Sequence, residues 1–249
     1  MSTSSAGALV SVIIPNYNYA RYIALAIESV RAQDHPAIEL VVVDDCSSDD
    51  SVPAIRRALA LPHRFTRVEV IELPANLGKL GALNRAVSAC RGKYCITLDS
   101  DDMLTSGYVS RCVAELEQAR SADRRTAFVY SNCRLIGPDG RLLGQGKSTA
   151  FDPRLIERFS YIPEPALTLM EAMREVMPFD ETIRRGTKHH KWKRIIGKGW
   201  RGRHIAEPLF AYRMHRDNLS GIGARVLDEV AGGDRSERIL SGYWPLEAR

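Results

Sequence analysis

The sequence predicts a doubly wound α/β protein with a mostly parallel sheet. Short apolar runs rich in β-branched residues, at 10–15, 39–44, 68–73 and 94–98, alternate with segments whose apolar residues have helical spacing. Two of these runs lead directly into aspartates, and open α/β sheets place their ligand crevice at the carboxyl ends of the strands. A chain of 249 residues is long enough to bury a substantial core.

The first strand, helix and strand form the clearest unit. Residues 10–15 read VSVIIP and residues 39–44 read ELVVVD, as expected for strands buried on both faces. Between them, residues 20–31 carry apolar side chains at helical spacing, which predicts a right-handed crossover helix. Residues 68–73 then predict a third strand, 79–89 a second helix and 94–98 a fourth strand.

The second half of the chain departs from this alternation. Residues 106–119 predict a helix and residues 127–136 a long strand. The sequence GPDG at 137–140 has the composition of a tight turn, which predicts a hairpin whose second strand contains Leu142 and Leu143. We therefore expect a mixed sheet after the parallel one, followed by a weakly patterned tail over residues 221–249.

Composition excludes several classes of protein. With 45% hydrophobic and 26% charged residues, the chain is typical of globular proteins and not of disordered or collagenous ones. No apolar run approaches the length of a membrane span, and the first residues do not resemble a signal peptide. The five cysteines are scattered, without zinc spacing, as in proteins of a reducing compartment. We expect a cytoplasmic protein, either free or peripheral at a membrane.

The basic residues are concentrated in one segment. The whole chain has a formal charge of +5, but residues 184–216 contain eleven Lys or Arg and a single acid, Glu207. The ordinary explanation is a solvated helix face. Alternatively, the segment binds anionic lipid or a phosphorylated substrate, since Trp192 and Trp200 lie among the cations as interfacial residues would. Nucleic acid is a disfavoured partner because no nucleic-acid-binding motif accompanies the charge.

Acidic residues follow the fourth predicted strand. Asp99, Ser100, Asp101 and Asp102 place three carboxylates within four residues, which repel one another unless a cation or hydrogen-bond donors compensate. Oxygen ligands of this kind suit Mg²⁺ or Mn²⁺ bound to a diphosphate. The alternative is an aspartate-rich helix N-cap.

A second acidic turn follows the second strand. Asp44 and Asp45 are expected at the same sheet edge, where a carboxylate could accept hydrogen bonds from a base or a ribose. The turn after the first strand contains Pro15, Asn16, Tyr17 and Asn18, which would add an aromatic face and two amides for a nucleobase. Taken singly, each of these turns would be ordinary.

Four motifs occur in a characteristic order: VSVIIPNYN, VVVDDCSSDDS, NLGKLGALNRA and ITLDSDD. Together they resemble the nucleotide-binding half of a family 2 glycosyltransferase with the GT-A fold. Three later segments, FVYSNCRLIGPDG, PFDE and EPLFAYRMH, resemble acceptor-half segments of that family. The resemblance implies one domain over residues 1–220, with a nucleotide-sugar-binding half at 9–103 and an acceptor half at 104–220.

The resemblance also implies a function. The protein would move a sugar from a nucleotide-diphosphate donor, most commonly a UDP-sugar, to an acceptor with inversion at the anomeric carbon. Asp101 and His215 would bind Mg²⁺ or Mn²⁺, whose charge stabilises the diphosphate leaving group. The nucleotide would be held by the residues that match the family's donor motifs: Pro15, Tyr17, Asn18, Asp44, Asp45, Lys79, Asn84, Asp99 and Ser100.

The sequence departs from the family where the general base is expected. Thr187 and Lys188 align with the Glu-Asp pair that supplies the base, and no acid lies between Glu181 and Glu207. One explanation is that His189 or His190 replaces the base, since a neutral imidazole suits proton transfer near pH 7. A second is that the protein binds nucleotide or a partner without turnover. A third is an acceptor that needs little activation or presents a phosphate or carboxylate.

Overall fold

The structure is a computed structural model that describes residues 7–158 and 160–218. Four parallel strands form its first part: β1 (Val10–Asn16), β2 (Ile38–Asp44), β3 (Arg67–Glu72) and β4 (Tyr94–Thr97). The helices between them are α1 (Ala20–Arg31), α2 (Ser51–Leu59) and α3 (Gly78–Ala89). The predicted strands and helices of this part are confirmed to within one residue at each end, and α2 is an additional element. The predicted tail, 221–249, lies outside the described residues.

Burial explains why these segments are so apolar. Every residue of β2 is buried, and all but one of β1, because helices cover both faces of the parallel strands. Helix α1 buries one face against the sheet through Tyr22, Ile23, Ala26, Ile27 and Val30. The core of this first part is thus a continuous apolar layer, and the polar residues that come after the strands lie at its edge.

The second part contains shorter and more varied elements. In chain order they are β5 (Met103–Leu104), α4 (Tyr108–Ala122), β6 (Thr126–Ile136), β7 (Leu142–Gly146), a short 3₁₀ helix (Leu155–Glu157), β8 (Ala166–Leu169), α5 (Met170–Glu175), α6 (Thr187–Gly197) and β9 (Arg201–Arg213). The predicted helix at 106–119 is α4, shifted by two to three residues. The predicted hairpin is confirmed, since β7 pairs with β6 antiparallel.

All described strands belong to one sheet. Its order is β3-β2-β1-β4-β8-β6-β9-β5, and β7 pairs with the far end of β6. Strand β8 runs antiparallel to both β4 and β6, whereas β9 runs parallel to β6 and antiparallel to β5. The predicted mixed sheet of the second half is therefore confirmed. Because β1 lies between β2 and β4, the turns after these three strands meet at one edge.

Candidate functional site: an acidic sheet edge

Asp44 joins the turns after β1 and β2. Its Oδ1 accepts hydrogen bonds from Asn16 Nδ2 at 2.8 Å and from Ser47 Oγ at 2.7 Å, and its Oδ2 accepts one from Ser47 N at 2.9 Å. Asn18 adds a second link, because its Oδ1 accepts a hydrogen bond from Ser48 N at 2.8 Å. Asn18 has a left-handed φ of 57°, which asparagine tolerates better than most residues. These bonds organise the predicted nucleotide-binding turns.

Asp45 links the β2 turn to the beginning of α3. Its two carboxylate oxygens accept hydrogen bonds from Leu77 N at 2.7 Å and Gly78 N at 2.8 Å. Burial of the carboxyl raises its pKa, although the two amide donors oppose this shift. The positive φ of Gly78, 75°, allows the sharp entry into α3. Asp45 therefore acts in part as the cap of α3.

Lys79, in the first turn of α3, forms an ion pair with Asp99 at the end of β4. Burial would lower the pKa of Lys79, but Asp99, Glu164 and Asp101 outweigh it and raise the pKa above its ordinary value. The lysine therefore remains a cation among carboxylates. A fixed cation at this place could bind the phosphates of a donor.

Asp101 meets His215 across the sheet. His215 Nε2 lies 2.9 Å from Asp101 Oδ2, and His215 is 1% exposed. Asp217 N donates a hydrogen bond to His215 Nδ1 at 3.2 Å, so the proton of a neutral imidazole belongs on Nε2, directed at Asp101. The rings of Tyr19 and Tyr22 pack against the imidazole. Two residues that are distant in sequence thus form one buried pair.

Asp102 is the most deeply buried member of the acidic cluster. Its Oδ1 accepts a hydrogen bond from Arg213 N at 2.9 Å, whereas its Oδ2 is buried without a partner among the described residues. Burial, together with the charges of Asp101 and Asp99, raises the pKa of Asp102 well above its ordinary value. The Arg213 side chain donates to Asp101 O at 2.9 Å. Arg213 is therefore a buried support of this cluster that the sequence patterns did not indicate.

The acidic cluster has the chemistry of a divalent-metal site. Carboxylate oxygens of Asp99, Asp101 and Asp102 lie within 4.8 Å of one another, and His215 adds an imidazole nitrogen beside Asp101. Carboxylate ligands together with one imidazole suit Mn²⁺, and carboxylate ligands without the imidazole suit Mg²⁺. The unpartnered Asp102 Oδ2 is a further sign, because a bound cation would give this buried oxygen the partner that the described residues do not supply.

The remaining predicted nucleotide-binding residues differ in their surroundings. Pro15 pairs in register with Val43 of β2, Tyr17 is 46% exposed in the turn after β1, and Ser100 is buried between Asp99 and Asp101 in the chain. Asn84 instead binds the segment before α6, because it donates to Phe179 O at 2.9 Å and accepts from Phe179 N at 2.8 Å. The structure thus brings most predicted residues to one edge and directs the Asn84 amide to the segment between α5 and α6.

The two predicted base residues point to other groups. His189 has its Nε2 2.5 Å from Ile156 O, in the short 3₁₀ helix. His190 packs edge-on against Phe179, and burial together with Arg194 lowers the pKa of its imidazole. Among the described residues, His189 is thus bound to a backbone carbonyl, whereas His190 has a ring contact and a buried Nε2 without a hydrogen-bond partner.

A buried ion pair lies under the same helix. Lys191 of α6 pairs with Glu164, which comes shortly before the strand β8, and the two residues are 2% and 3% exposed. Sequence reasoning missed Glu164. The available signal was a single acid between two prolines in the otherwise apolar run YIPEPALTL, since a charge in such a run needs a partner.

The basic segment is more structural than its sequence suggested. Trp192 is 0% exposed and Trp200 6%, so the interpretation of these tryptophans as interfacial membrane residues is wrong. Acids of other elements pair with several of its cations, namely Glu164 with Lys191, Glu157 with Lys193, Asp123 with Arg201 and Glu115 with Arg203. Among the described residues, no helix is both long and apolar enough to cross a bilayer.

A parallel half-sheet with acids at its carboxyl edge, continued by a mixed half-sheet, defines the GT-A fold, as predicted. The chain belongs to glycosyl transferase family 2, whose family model matches residues 11–175. It is similar to "Succinoglycan biosynthesis protein ExoO" of Rhizobium meliloti, with 31% identity over 83% of this chain and 60% of that protein. It is also similar to "Putative teichuronic acid biosynthesis glycosyltransferase TuaG" of Bacillus subtilis, with 28% identity over 85% of this chain and 81% of that protein.

Solved structures share the fold. A mannosyltransferase of Pyrobaculum calidifontis in complex with GDP-Man and Mn²⁺ has a TM-score of 0.65 and 21% identity, covering 85% of this chain and 59% of that one. S. aureus TarS 1-349 in complex with UDP-GlcNAc has a TM-score of 0.63 and 19% identity, covering 85% and 60%. The present chain thus spans about three fifths of these structures and of the ExoO protein.

Proposed function

We propose that this protein transfers a sugar from a nucleotide-diphosphate donor to an acceptor hydroxyl, with inversion and with help from a divalent cation. The observation that carries the proposal is the meeting of Asp44, Asp45, Asp99 and Asp101 at one sheet edge, beside Lys79. Carboxylates there can bind a base and ribose, while a lysine and a metal ion bind the diphosphate. Family membership supports the same reaction class.

The metal would be held by Asp101 and His215, with Asp99 and Ser100 next to it on the donor side. A divalent ion at this place would neutralise the charge that develops on the diphosphate as the sugar leaves. To bind such an ion through Nε2, the neutral imidazole of His215 would carry its proton on Nδ1, because Nε2 is the nitrogen that faces Asp101. Tyr17 and Asn18, together with Pro15, would form the wall against the nucleobase.

The donor and acceptor are proposed by class. A UDP-sugar is our first candidate donor, supported by the UDP-GlcNAc complex of S. aureus TarS; GDP-mannose is the second, because the P. calidifontis enzyme binds it. An anionic acceptor is supported by Arg184, Arg185 and Lys188 at the amino-terminal end of α6. A cytoplasmic location, free or peripheral at a membrane, stays a prediction.

The general base is the open part of the proposal. His189 and His190 remain candidates if an acceptor draws either ring toward the donor. Substitution of each by alanine tests this idea, since a turnover rate equal to that of the wild type in both variants would exclude a histidine base. The competing function is nucleotide binding without turnover, for which the loss of the usual acidic pair is the specific observation.

A two-part experiment tests the function. Thermal shifts with UDP-, GDP- and dTDP-sugars in the presence of Mn²⁺ identify the donor, because a ligand at 100 times its Kd adds about 2.7 kcal/mol to stability. Release of nucleoside diphosphate from that donor then measures turnover. We expect Asp101→Asn to abolish the metal-dependent part of both signals. The control is Asp123→Asn, which lies before the first residue of β6 and pairs with Arg201, and it should leave both signals unchanged. Metal-dependent binding without any donor consumption would favour the binding protein over the enzyme.

A further inference from the structure

The segment between α5 and α6 lies along one face of α3. The backbone of Phe179 exchanges two hydrogen bonds with the Asn84 side chain. The Glu181 side chain packs over Gly81, where a Cβ would lie 3.5 Å from Glu181 Cδ. Because the two positions on α3 are three residues apart, they share a face. The segment therefore runs toward the start of α3 and toward the residues that follow β2.

Arg184 is the residue of this segment that contacts the start of α3. Its guanidinium packs so closely against Gly78 that a Cβ at this glycine would overlap with Arg184 Nη1. The same nitrogen donates a hydrogen bond to Asn76 Oδ1 at 3.2 Å. Gly78 N, in turn, donates to Asp45 Oδ2 at 2.8 Å. Arg184 and the carboxylate that is proposed to face a base or a ribose therefore contact the same glycine.

The position of Arg184 favours the nucleobase over the diphosphate as its ligand. Asp45 follows β2, whereas the carboxylates of the proposed metal site follow β4, and β1 lies between the two strands. Two strand spacings amount to about 10 Å, so a group at the end of β2 lies well away from the proposed metal. Lys79 is the residue of α3 that reaches the β4 side, through its ion pair with Asp99.

Arg184 also has hydrogen-bond donors that remain available to a ligand. A guanidinium carries several N–H groups, and among the described residues Asn76 is the one hydrogen-bond partner of Arg184. The Arg184 side chain is exposed, so a ligand can reach it without a change in the fold. Because a guanidinium has donors and no acceptor, it can bind a carbonyl oxygen of a base but not an amino group.

We propose that Arg184 determines which nucleotide the donor site accepts, by donating a hydrogen bond to a carbonyl oxygen of the nucleobase. This inference rests on the proposed function and narrows its substrate class. Uracil, thymine and guanine present a carbonyl oxygen where cytosine and adenine present an amino group. An amino group opposite Arg184 would leave donors on both sides without an acceptor. UDP- and GDP-sugars therefore fit the site better than CDP- and ADP-sugars, and Arg185 and Lys188 remain as the cations proposed for the acceptor.

Pairs of nucleotides that differ at this edge of the base test the inference. Calorimetric titrations in the presence of Mn²⁺ should show UDP binding about 10-fold or more tightly than CDP, or GDP more tightly than ADP by a similar factor. In Arg184→Met, the affinity for the preferred nucleotide should fall by about the same factor, while the affinity for its amino counterpart stays nearly unchanged. Arg57→Met, at an exposed position of α2, is the matched control and should bind as the wild type does.

A phosphate contact would give a different result. If Arg184 bound the diphosphate, Arg184→Met would weaken both members of a pair equally, and a preference that persists in this variant would overturn the proposal. A wild type that binds both members equally, or prefers CDP or ADP, would also overturn it.

Turnover gives a second measurement of the same role. In Arg184→Met, the KM for the donor sugar should rise about 10-fold with kcat nearly unchanged, because the lost hydrogen bond is present in the ground state and in the transition state alike. A large fall in kcat at an unchanged KM would contradict a role in base recognition. A wild type that binds none of the four nucleotides would instead refute the proposed function itself.

Discussion

The ion pair between Glu164 and Lys191 offers the sharpest test of how the acceptor half is built. Lys191→Met keeps most of the side-chain length but removes the ammonium that contacts Glu164 Oε1. Glu164 is 3% exposed, and its other oxygen has no partner among the described residues. The substitution would therefore leave a buried carboxylate without the ammonium that it contacts, and only the charges of Lys79 and Lys188 would still act on it among the described residues.

The size of the effect depends on this burial. Removing one member of a buried pair costs about 3–5 kcal/mol, whereas replacing both by apolar residues is often nearly neutral. We expect that loss for Lys191→Met and a similar one for Glu164→Leu. For a chain of this size each 1 kcal/mol lowers Tm by about 2–4 °C, so Tm should fall by about 6–20 °C. The double variant should lie within about 1 kcal/mol of wild type.

Urea unfolding monitored by tryptophan fluorescence measures these changes, because Trp192 and Trp200 are both buried in or next to α6. Lys193→Met is the matched control: its partner Glu157 and its own side chain are 66% and 44% exposed, so the pair contributes at most about 1 kcal/mol.

Additive losses in the double variant would refute this reasoning, since they would mean that the two charges do not compensate each other. A loss below about 1 kcal/mol for Lys191→Met alone would also refute it, because the carboxylate would then have solvent or another partner.

Two further predictions concern the sheet. Although burial opposes it, hydrogen bonds from a hydroxyl and two backbone amides hold the pKa of Glu39 below its usual value, so Glu39→Gln should cost about 2 kcal/mol at pH 7. In urea titrations this difference should persist above about pH 4.5 and shrink as the pH falls through the lowered pKa, while exposed Glu72→Gln shows little effect. Gly202→Ala should cost about 1–3 kcal/mol by calorimetry, because its Cβ would lie 2.2 Å from Phe128 Cε2, whereas Gly197→Ala has no such contact and should not destabilise.

Local patterns were sufficient for the strands of the first half and for α1 and α3, but not for the short helix α2. Strands β1 and β2 are almost fully apolar runs, and the aspartates after β2 and β4 had to meet because parallel neighbours end at one edge. The motif order also identified the fold, and it singled out Asp101 and His215, which the structure places 2.9 Å apart. Their pairing came from resemblance, because 114 residues separate them in the chain.

The acceptor half was less predictable for a physical reason. A charge run is ordinarily solvated, so the sequence favoured an exposed basic face, yet Lys191 is buried and pairs with an acid 27 residues away. Similarly, no short-range pattern shows that Arg213 supports Asp101 and Asp102 from the end of β9.

By itself, the sequence determined the fold class, the family and the acidic edge, because these depend on the period of apolar residues and on the residue types at the end of each strand. Only the tertiary structure decided which charges are buried and what each one faces. It brought Glu164 and Lys191 together and placed Arg213 against Asp101 and Asp102. Such contacts depend on the packing of α6 against distant strands, and the electrostatic environment of a side chain is set by those neighbours rather than by its position along the chain.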